Sequence, residues 1–308
     1  MSSDGVIVVA GEALIDLVVG PDGQLAAHPG GGPFNTARTL SRLEQPVAYL
    51  GRISEDRFGR RLRGELADDG VRLEAVVPTT DPTTLALAET DAHGAASYRF
   101  YTEGTSAPGL TTEAALEALP DRVELLHVGT LGLVLEPMAT ALEAVIAAVA
   151  DHALVMLDPN CRPSLIPDRA MYRRRLGETL RRSHVVKASV DDLIWLEPGT
   201  PPADAARGLL AEGPAAVLMT DGGAGVQVVT PDAQRHVPAP EVEVVDTIGA
   251  GDAFSGGFLA WWRIHGLGAE DLRSLDQVLE ATEFACEVAA RTVERAGASP
   301  PRLEEVKR

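Results

Sequence analysis

Lysine is almost missing from this 308-residue chain: Lys187 and Lys307 are its only two, and neither follows a glycine-rich loop. The phosphate loop of pattern Gly-x-x-x-x-Gly-Lys-Ser/Thr is therefore excluded, and any bound phosphate must be held by backbone amides, arginine or a metal ion. Cysteine is equally scarce. Cys161 and Cys286 make neither a disulfide framework nor a four-ligand zinc set, and read as small core or near-site residues. Positive charge is in deficit, with 27 Lys and Arg against 45 Asp and Glu and a formal net charge of −18. Nucleic acid and anionic membrane are thereby excluded as main partners, and the run Arg173, Arg174, Arg175, Arg181, Arg182 reads as a solvated helix face. Long apolar runs are absent as well. The most apolar later stretch, 139–150, is too short to cross a bilayer and is interrupted by Glu143. Met1-Ser2-Ser3-Asp4-Gly5 has no basic region, so no signal peptide is expected and a cytoplasmic, reduced setting is.

What is present is enough apolar residue, 45%, to bury a large core. Short β-branched runs at 6–10, 47–50, 123–128, 153–157, 184–187 and 215–219 alternate with amphipathic stretches at 35–43, 56–67, 136–150, 169–182, 191–196 and 203–210. This alternation predicts a doubly wound α/β fold, a mostly parallel sheet flanked by helices. Two segments depart from it. Residues 14–19, then 84–90 and 97–101 joined through Asp91-Ala92-His93-Gly94, read as antiparallel strands, and a small inserted β-sheet lid is the economical arrangement. A second hairpin is expected at 225–229 and 234–237, and 250–295 reads as mostly helical. With no internal repeat and no low-complexity linker, residues 1–308 are expected to form a single domain.

The most informative stretch is Asp246-Thr247-Ile248-Gly249-Ala250-Gly251-Asp252, followed by an apolar helical run through Trp262. Small residues just before a helix let backbone N–H groups converge on an anion at the positive end of the helix dipole. Asp252 sits where that anion would react. A carboxylate beside an anion hole is what phosphoryl transfer to a hydroxyl needs, although a glycine-rich turn capping a helix has the same sequence appearance.

In open α/β sheets ligands bind beyond the carboxyl ends of the strands, so polar residues after each apolar run carry functional weight. Asp16, the loop Gly30-Gly31-Gly32-Pro33-Phe34-Asn35, the turn Asp158-Pro159-Asn160-Cys161-Arg162-Pro163 and the run Thr220-Asp221-Gly222-Gly223-Ala224-Gly225 all fall there. Singly, each has a structural reading: an edge-strand charge, a helix cap, a plain turn, a hairpin entry. Together they would supply one crevice with two carboxylates, an amide, an arginine and two glycine-rich anion loops.

Gly31-Gly32-Pro33-Phe34-Asn35-Thr36-Ala37 and Asp246 through Phe254 together resemble the two signatures of the ribokinase-like (PfkB) carbohydrate kinases, over nearly the whole chain. Gly11-Glu12-Ala13-Leu14-Ile15-Asp16, the Asp158 turn and Lys187-Ala188-Ser189 are more similar to the bacterial fructokinase and 2-keto-3-deoxygluconate kinase branch. The resemblance implies ATP-dependent phosphorylation of a sugar hydroxyl, fructose first, with Mg2+ and a monovalent cation such as K+ near the Asp246 loop. It implies Asp252 as base and Gly249, Ala250 and Gly251 as anion hole. Asp16, Gly31, Gly32, Asn35, Tyr101, Asn160 and Arg162 would meet the sugar. Lys187, Ser189, Thr220, Gly222, Gly225 and Cys286, with Gly249 and Gly251, would line the nucleotide site. Partners would be the sugar, ATP and a second copy docked through the lid.

Departures from the family pattern are informative. Its Asn-x-x-Glu element appears here as Ser189-Val190-Asp191-Asp192, leaving Asp192 as the candidate metal-positioning acid. Tyr101 is followed by Thr102 where kinases of keto-acid sugars often carry arginine, which points to a neutral ketohexose over 2-keto-3-deoxygluconate. Cys286 stands where many relatives have asparagine near adenine. A catalytically silent sugar or nucleotide sensor on the same fold is the reading from another class, since fold does not fix function.

Overall fold

The computed structural model describes residues 5–19, 23–90 and 96–306. Among these, thirteen strands form two sheets. The large sheet holds β1 (Val6–Ala10), β4 (Val47–Ser54), β5 (Val76–Thr79), β8 (Val123–Gly129), β9 (Leu154–Asp158), β10 (Val185–Ser189), β11 (Ala216–Thr220), β12 (Val226–Val229) and β13 (Gln234–Val237), in the order β13-β12-β11-β10-β9-β8-β1-β4-β5. All neighbours are parallel except β11–β12 and β12–β13, the expected second hairpin. From β1 the chain builds outward to β4 and β5, then returns on the other side through β8. The strand order thus reverses between β1 and β8, where an open α/β sheet leaves its ligand crevice.

Side-chain alternation along the strands splits the core between the two faces. Val6, Val8 and Ala10 of β1 join Leu142 of α4 (Met138–Val149), Leu176 of α5 (Arg169–Leu180), Leu193 of α6 (Val190–Leu196) and Leu209 of α7 (Pro202–Leu210). Ile7 and Val9 join Phe34 of α1 (Gly32–Arg42), Leu62 of α2 (Arg57–Asp68), Trp262 of α8 (Ala250–Ile264) and Val288 of α9 (Leu275–Val293). Trp262 is fully buried and stacks on Phe258 with ring centroids 5.4 Å apart. Aromatic rings bury about 150–250 Å² each, so α8 is clamped along its length and its first turn is held in place.

The inserted sheet has the order β3-β2-β6-β7, from β2 (Leu14–Val19), β3 (Leu25–Gly30), β6 (Leu85–Thr90) and β7 (Ala96–Tyr101). The expectation of antiparallel lid strands holds for the β6–β7 hairpin, but the antiparallel partner of β2 is β3, which was not expected, and β2 and β6 run parallel. Turn chemistry reports only on pairings it closes, and this one joins strands distant in sequence. β3 escaped sequence reading because Leu-Ala-Ala-His-Pro-Gly lacks β-branched residues; as an edge strand it tolerates Pro29. α3 (Thr112–Ala118) and β5 were also not expected, both being short. The turn 91–94 lies outside the described residues. No helix among the described residues is long and apolar enough to cross a membrane.

Candidate active site

The Asp246 motif folds as a loop that turns into α8 through Gly249, whose φ of 77° is left-handed. A Cβ at Gly249 would also sit 2.6 Å from Ala298 Cβ, so both conformation and space require glycine. Residues 249–251 then present the first amides of a fifteen-residue helix, the positive end of its dipole. Asp252, in the same first turn, is held by α1: Asn35 Nδ2 donates to its Oδ2 at 2.9 Å, and Thr36 Oγ1 donates to its backbone oxygen at 3.3 Å. The close approach of the two helix ends depends on Gly32, where a Cβ would lie 2.6 Å from Thr130 Oγ1 and 3.3 Å from Asp252 Oδ1. Burial pushes the Asp252 carboxyl up to about 6, against the Asn35 hydrogen bond and the Lys187 and Arg162 charges.

Lys187 reaches the same point from β10. Its Nζ donates to Asp158 Oδ2 at 2.9 Å, and lies 2.8 Å from where a Cβ on Gly251 would be. The pair is buried, at 4% and 2% exposure. Burial works against the Lys187 charge, but the Asp158, Asp192 and Asp252 carboxylates outweigh it and hold its pKa above the ordinary lysine value. The chain thus places a fixed cation beside the α8 amides without a phosphate loop.

Two cavities open on either side of this point. The first, of about 670 Å³, is lined by Glu12, Asp16, Gly31, Gly32, Asn35, Phe100, Thr130, Asn160, Arg162, Asp191, Gly249 and Asp252, among others. Burial raises Asp16, one of its acids, to about 6 against the pull of Arg162. Among the described residues, Asn35 Oδ1 is buried without a hydrogen-bond partner, ready to accept from a ligand. Arg162 Nη1 folds back on its own loop, donating to Asn160 Oδ1 at 2.6 Å. Asn160 and Thr130, at the ends of adjacent strands, both take positive φ, 36° and 53°, and Asn160 Nδ2 donates to Thr130 Oγ1 at 3.4 Å. Left-handed backbone at a β-branched residue is strained, and such strain collects at functional sites.

The second cavity, about 580 Å³, is lined by Ser189, Thr220, Gly222, Gly225, Ala250 and Cys286, with Val226, Val244, Phe254 and Val293 supplying apolar wall. Lys187, Thr247 and Gly251 line both cavities. Volumes of this size suit small molecules. A group passing from one cavity to the other must pass the α8 amides and the Lys187 ammonium, with Asp252 on the far side.

The sequence model of the pfkB family carbohydrate kinases matches residues 6–305. The chain belongs to that family. It is 37% identical over 260 residues to a fructokinase of Rhizobium leguminosarum bv. trifolii, covering 82% of this chain and 78% of that one. Its fold matches the ATP-bound fructokinase of Xylella fastidiosa with a TM-score of 0.91 at 29% identity, over 98% of this chain and 96% of the other. The fructokinase of Vibrio cholerae O395 with fructose, ADP and calcium bound gives 0.84 at 26% identity, over 96% and 95%. As a family member the protein is a carbohydrate kinase, a phosphotransferase with an alcohol acceptor.

The kinase departs from sequence expectation at two candidate residues. Tyr101 lines neither cavity and is 48% exposed; its neighbour Phe100 lines the first. Alternation along β7 sends only one of the two inward, and sequence could not say which. Asp192 also lines neither cavity. Its carboxylate is spent on structure: Oδ1 accepts from Cys161 N at 2.6 Å, and Oδ2 accepts from Ser189 N at 2.9 Å and from Ser189 Oγ at 2.6 Å, closing a capping box on α6. Asp191 faces the first cavity in its place. Glu12, Thr130 and Asp158 were not assigned roles, yet each stands at or just beyond a strand's carboxyl end. The rule that singled out Asn160 and Thr220 reaches them too.

Proposed function

We propose that this kinase transfers the γ-phosphoryl group of ATP to a hydroxyl of fructose. The observation that carries the reading is the meeting of two cavities at Gly251 and Lys187, with Asp252 on one side. The nucleotide lies in the second cavity, between Ser189, Thr220, Gly222, Gly225 and Cys286, its phosphates directed at residues 249–251. The sugar lies in the first, against Asp16, Gly31, Gly32, Asn35, Asn160 and Arg162, covered by the lid from the Phe100 side. Asp252 takes the hydroxyl proton as the sugar oxygen attacks phosphorus in line. The α8 amides and Lys187 meet the charge on the moving oxygens, and no covalent enzyme intermediate is needed. Lid cover keeps out water, whose attack would waste ATP.

A neutral sugar is favoured because the Asp16 and Asp252 carboxylates line its cavity, while Arg162 and Lys187 are already engaged by Asn160 and Asp158. Among the described residues no group of three or more His, Cys, Asp or Glu gathers to cage a metal. That donor set suits Mg2+ carried on the phosphates with few protein ligands, Asp191 being the α6 carboxylate that faces the cavity. Mg2+ would supply charge neutralisation to the triphosphate. The whole chain acts as one domain in the cytoplasm. The lid, with Leu25 60% and Tyr101 48% exposed, is the surface through which two copies associate.

The test is ADP release with Mg-ATP against fructose, glucose, 2-keto-3-deoxygluconate and a nucleoside, with and without K+. Fructose should give the highest kcat/KM. A higher value for the keto-acid sugar would overturn the neutral-sugar reading, and sugar binding without any ADP release would point to a sensor.

A further inference from the structure

Glu12 follows β1 at the point where the strand order reverses, is 1% exposed, and lines the acceptor cavity. Its Oε1 accepts the Gly32 amide at 3.2 Å, tying it to the turn that starts α1. Its Oε2 is buried and has no hydrogen-bond partner among the described residues. A buried carboxyl oxygen left unpaired is costly, and in a polar cavity the partner is water or a ligand. The position is closely held: Tyr49 of β4 donates its hydroxyl to Gly11 O at 2.7 Å, fixing the residue before.

We propose that Glu12 is a sugar-binding residue of the acceptor cavity, whose unpartnered Oε2 meets a substrate hydroxyl while Oε1 anchors the Gly31–Gly32 turn. The inference rests on the sugar kinase reading and adds a contact and a direction of proton donation to it. Charged and titratable groups surround Glu12: Asp252 of α8 and Arg162 of the loop after β9 act on its charge, it acts on Tyr49 of β4, and Asp16 of β2 and Lys187 of β10 line the same cavity. Burial, and then the Asp252 carboxylate, push Glu12 up to about 8 against its own and the Gly32 amide and Arg162. At neutral pH Glu12 is therefore an acid that donates O–H to the sugar and accepts N–H from Gly32. This relieves the cavity of a third negative charge.

Three enzymes decide the matter: the parent, Glu12→Gln and Glu12→Ala, each assayed from pH 6 to 9 at saturating Mg-ATP. Glu12→Ala should raise the KM for fructose by about tenfold while the KM for ATP moves less than about twofold, the pattern of lost acceptor binding. In the parent, the KM for fructose should climb as pH rises through about 8 and the donor is lost. Glu12→Gln, whose amide can donate N–H and accept the Gly32 amide but cannot ionise, should keep a KM near the parental value at pH 7 and stay flat. An unchanged fructose KM in Glu12→Ala, or the parental alkaline rise in Glu12→Gln, would overturn the proposal. If Glu12→Ala does not fold, Glu12→Gln still decides. Absence of fructose turnover in the parent would defeat the fructose reading alone, and the same comparison then runs with the sugar that does release ADP.

Discussion

Asp252→Asn separates the chemistry of the site from its architecture. The amide is isosteric, and its carbonyl oxygen can still accept from Asn35 Nδ2, a bond of 2.9 Å in the parent. The substitution also removes a buried negative charge whose burial is unfavourable enough to raise its pKa to about 6. Stability should therefore change by no more than about 1 kcal/mol, the net worth of one hydrogen bond. What the variant loses is the proton acceptor. General-base assistance is worth ~10²–10⁴-fold, which at 1.36 kcal/mol per decade is about 2.7–5.5 kcal/mol of barrier. The sign of the pH effect follows from the raised pKa: the proton-accepting carboxylate exists above about 6, so parental kcat should fall as pH drops through that value. Turnover is read by ADP release at saturating sugar and Mg-ATP, alongside thermal denaturation. Turnover within about threefold of the parent would refute the base assignment, since less than about 1 kcal/mol of barrier would then be at stake. An acid limb that survives in Asp252→Asn would do the same.

Two other expectations follow from the contacts. Lys187→Met strips the cation from buried Asp158 and should destabilise by ~3–5 kcal/mol; adding Asp158→Asn should restore most of the melting temperature but not turnover, and a single variant as stable as the parent would contradict the buried pair. Phe100→Ala should raise the fructose KM by about 5–30-fold, the equivalent of about 1–2 kcal/mol of lost contact. Tyr101→Ala should move it less than about twofold, and equal effects in steady-state assays would show that the lid face has been misassigned.

Much of the architecture was legible because it is written in local pattern. The β1 run 6–10 was expected to the residue, since a fully buried parallel strand appears as an unbroken β-branched run. The Asp246 motif declared a helix start because glycine at a left-handed position and a first-turn acid are local requirements of that geometry. β3 was illegible for the converse reason: its residues have no strand preference, and pairing with β2 alone makes them a strand.

The site divides along the same line. Sequence by itself determined the fold class, the glycine turn into α8, the absence of a phosphate-loop lysine and the identity of Asp252, because these depend on residue type at short range. Tertiary structure alone decided that Lys187 stands at the α8 amides paired with Asp158, that Phe100 and not Tyr101 faces the cavity, and that Asp192 is consumed as a cap. It also brought Asp252, near the end of the chain, into one cavity with Glu12 and Asp16, near its start. Those outcomes turn on which face of a strand points inward and on which distant groups share a buried volume. Residue spacing along the chain carries neither piece of information.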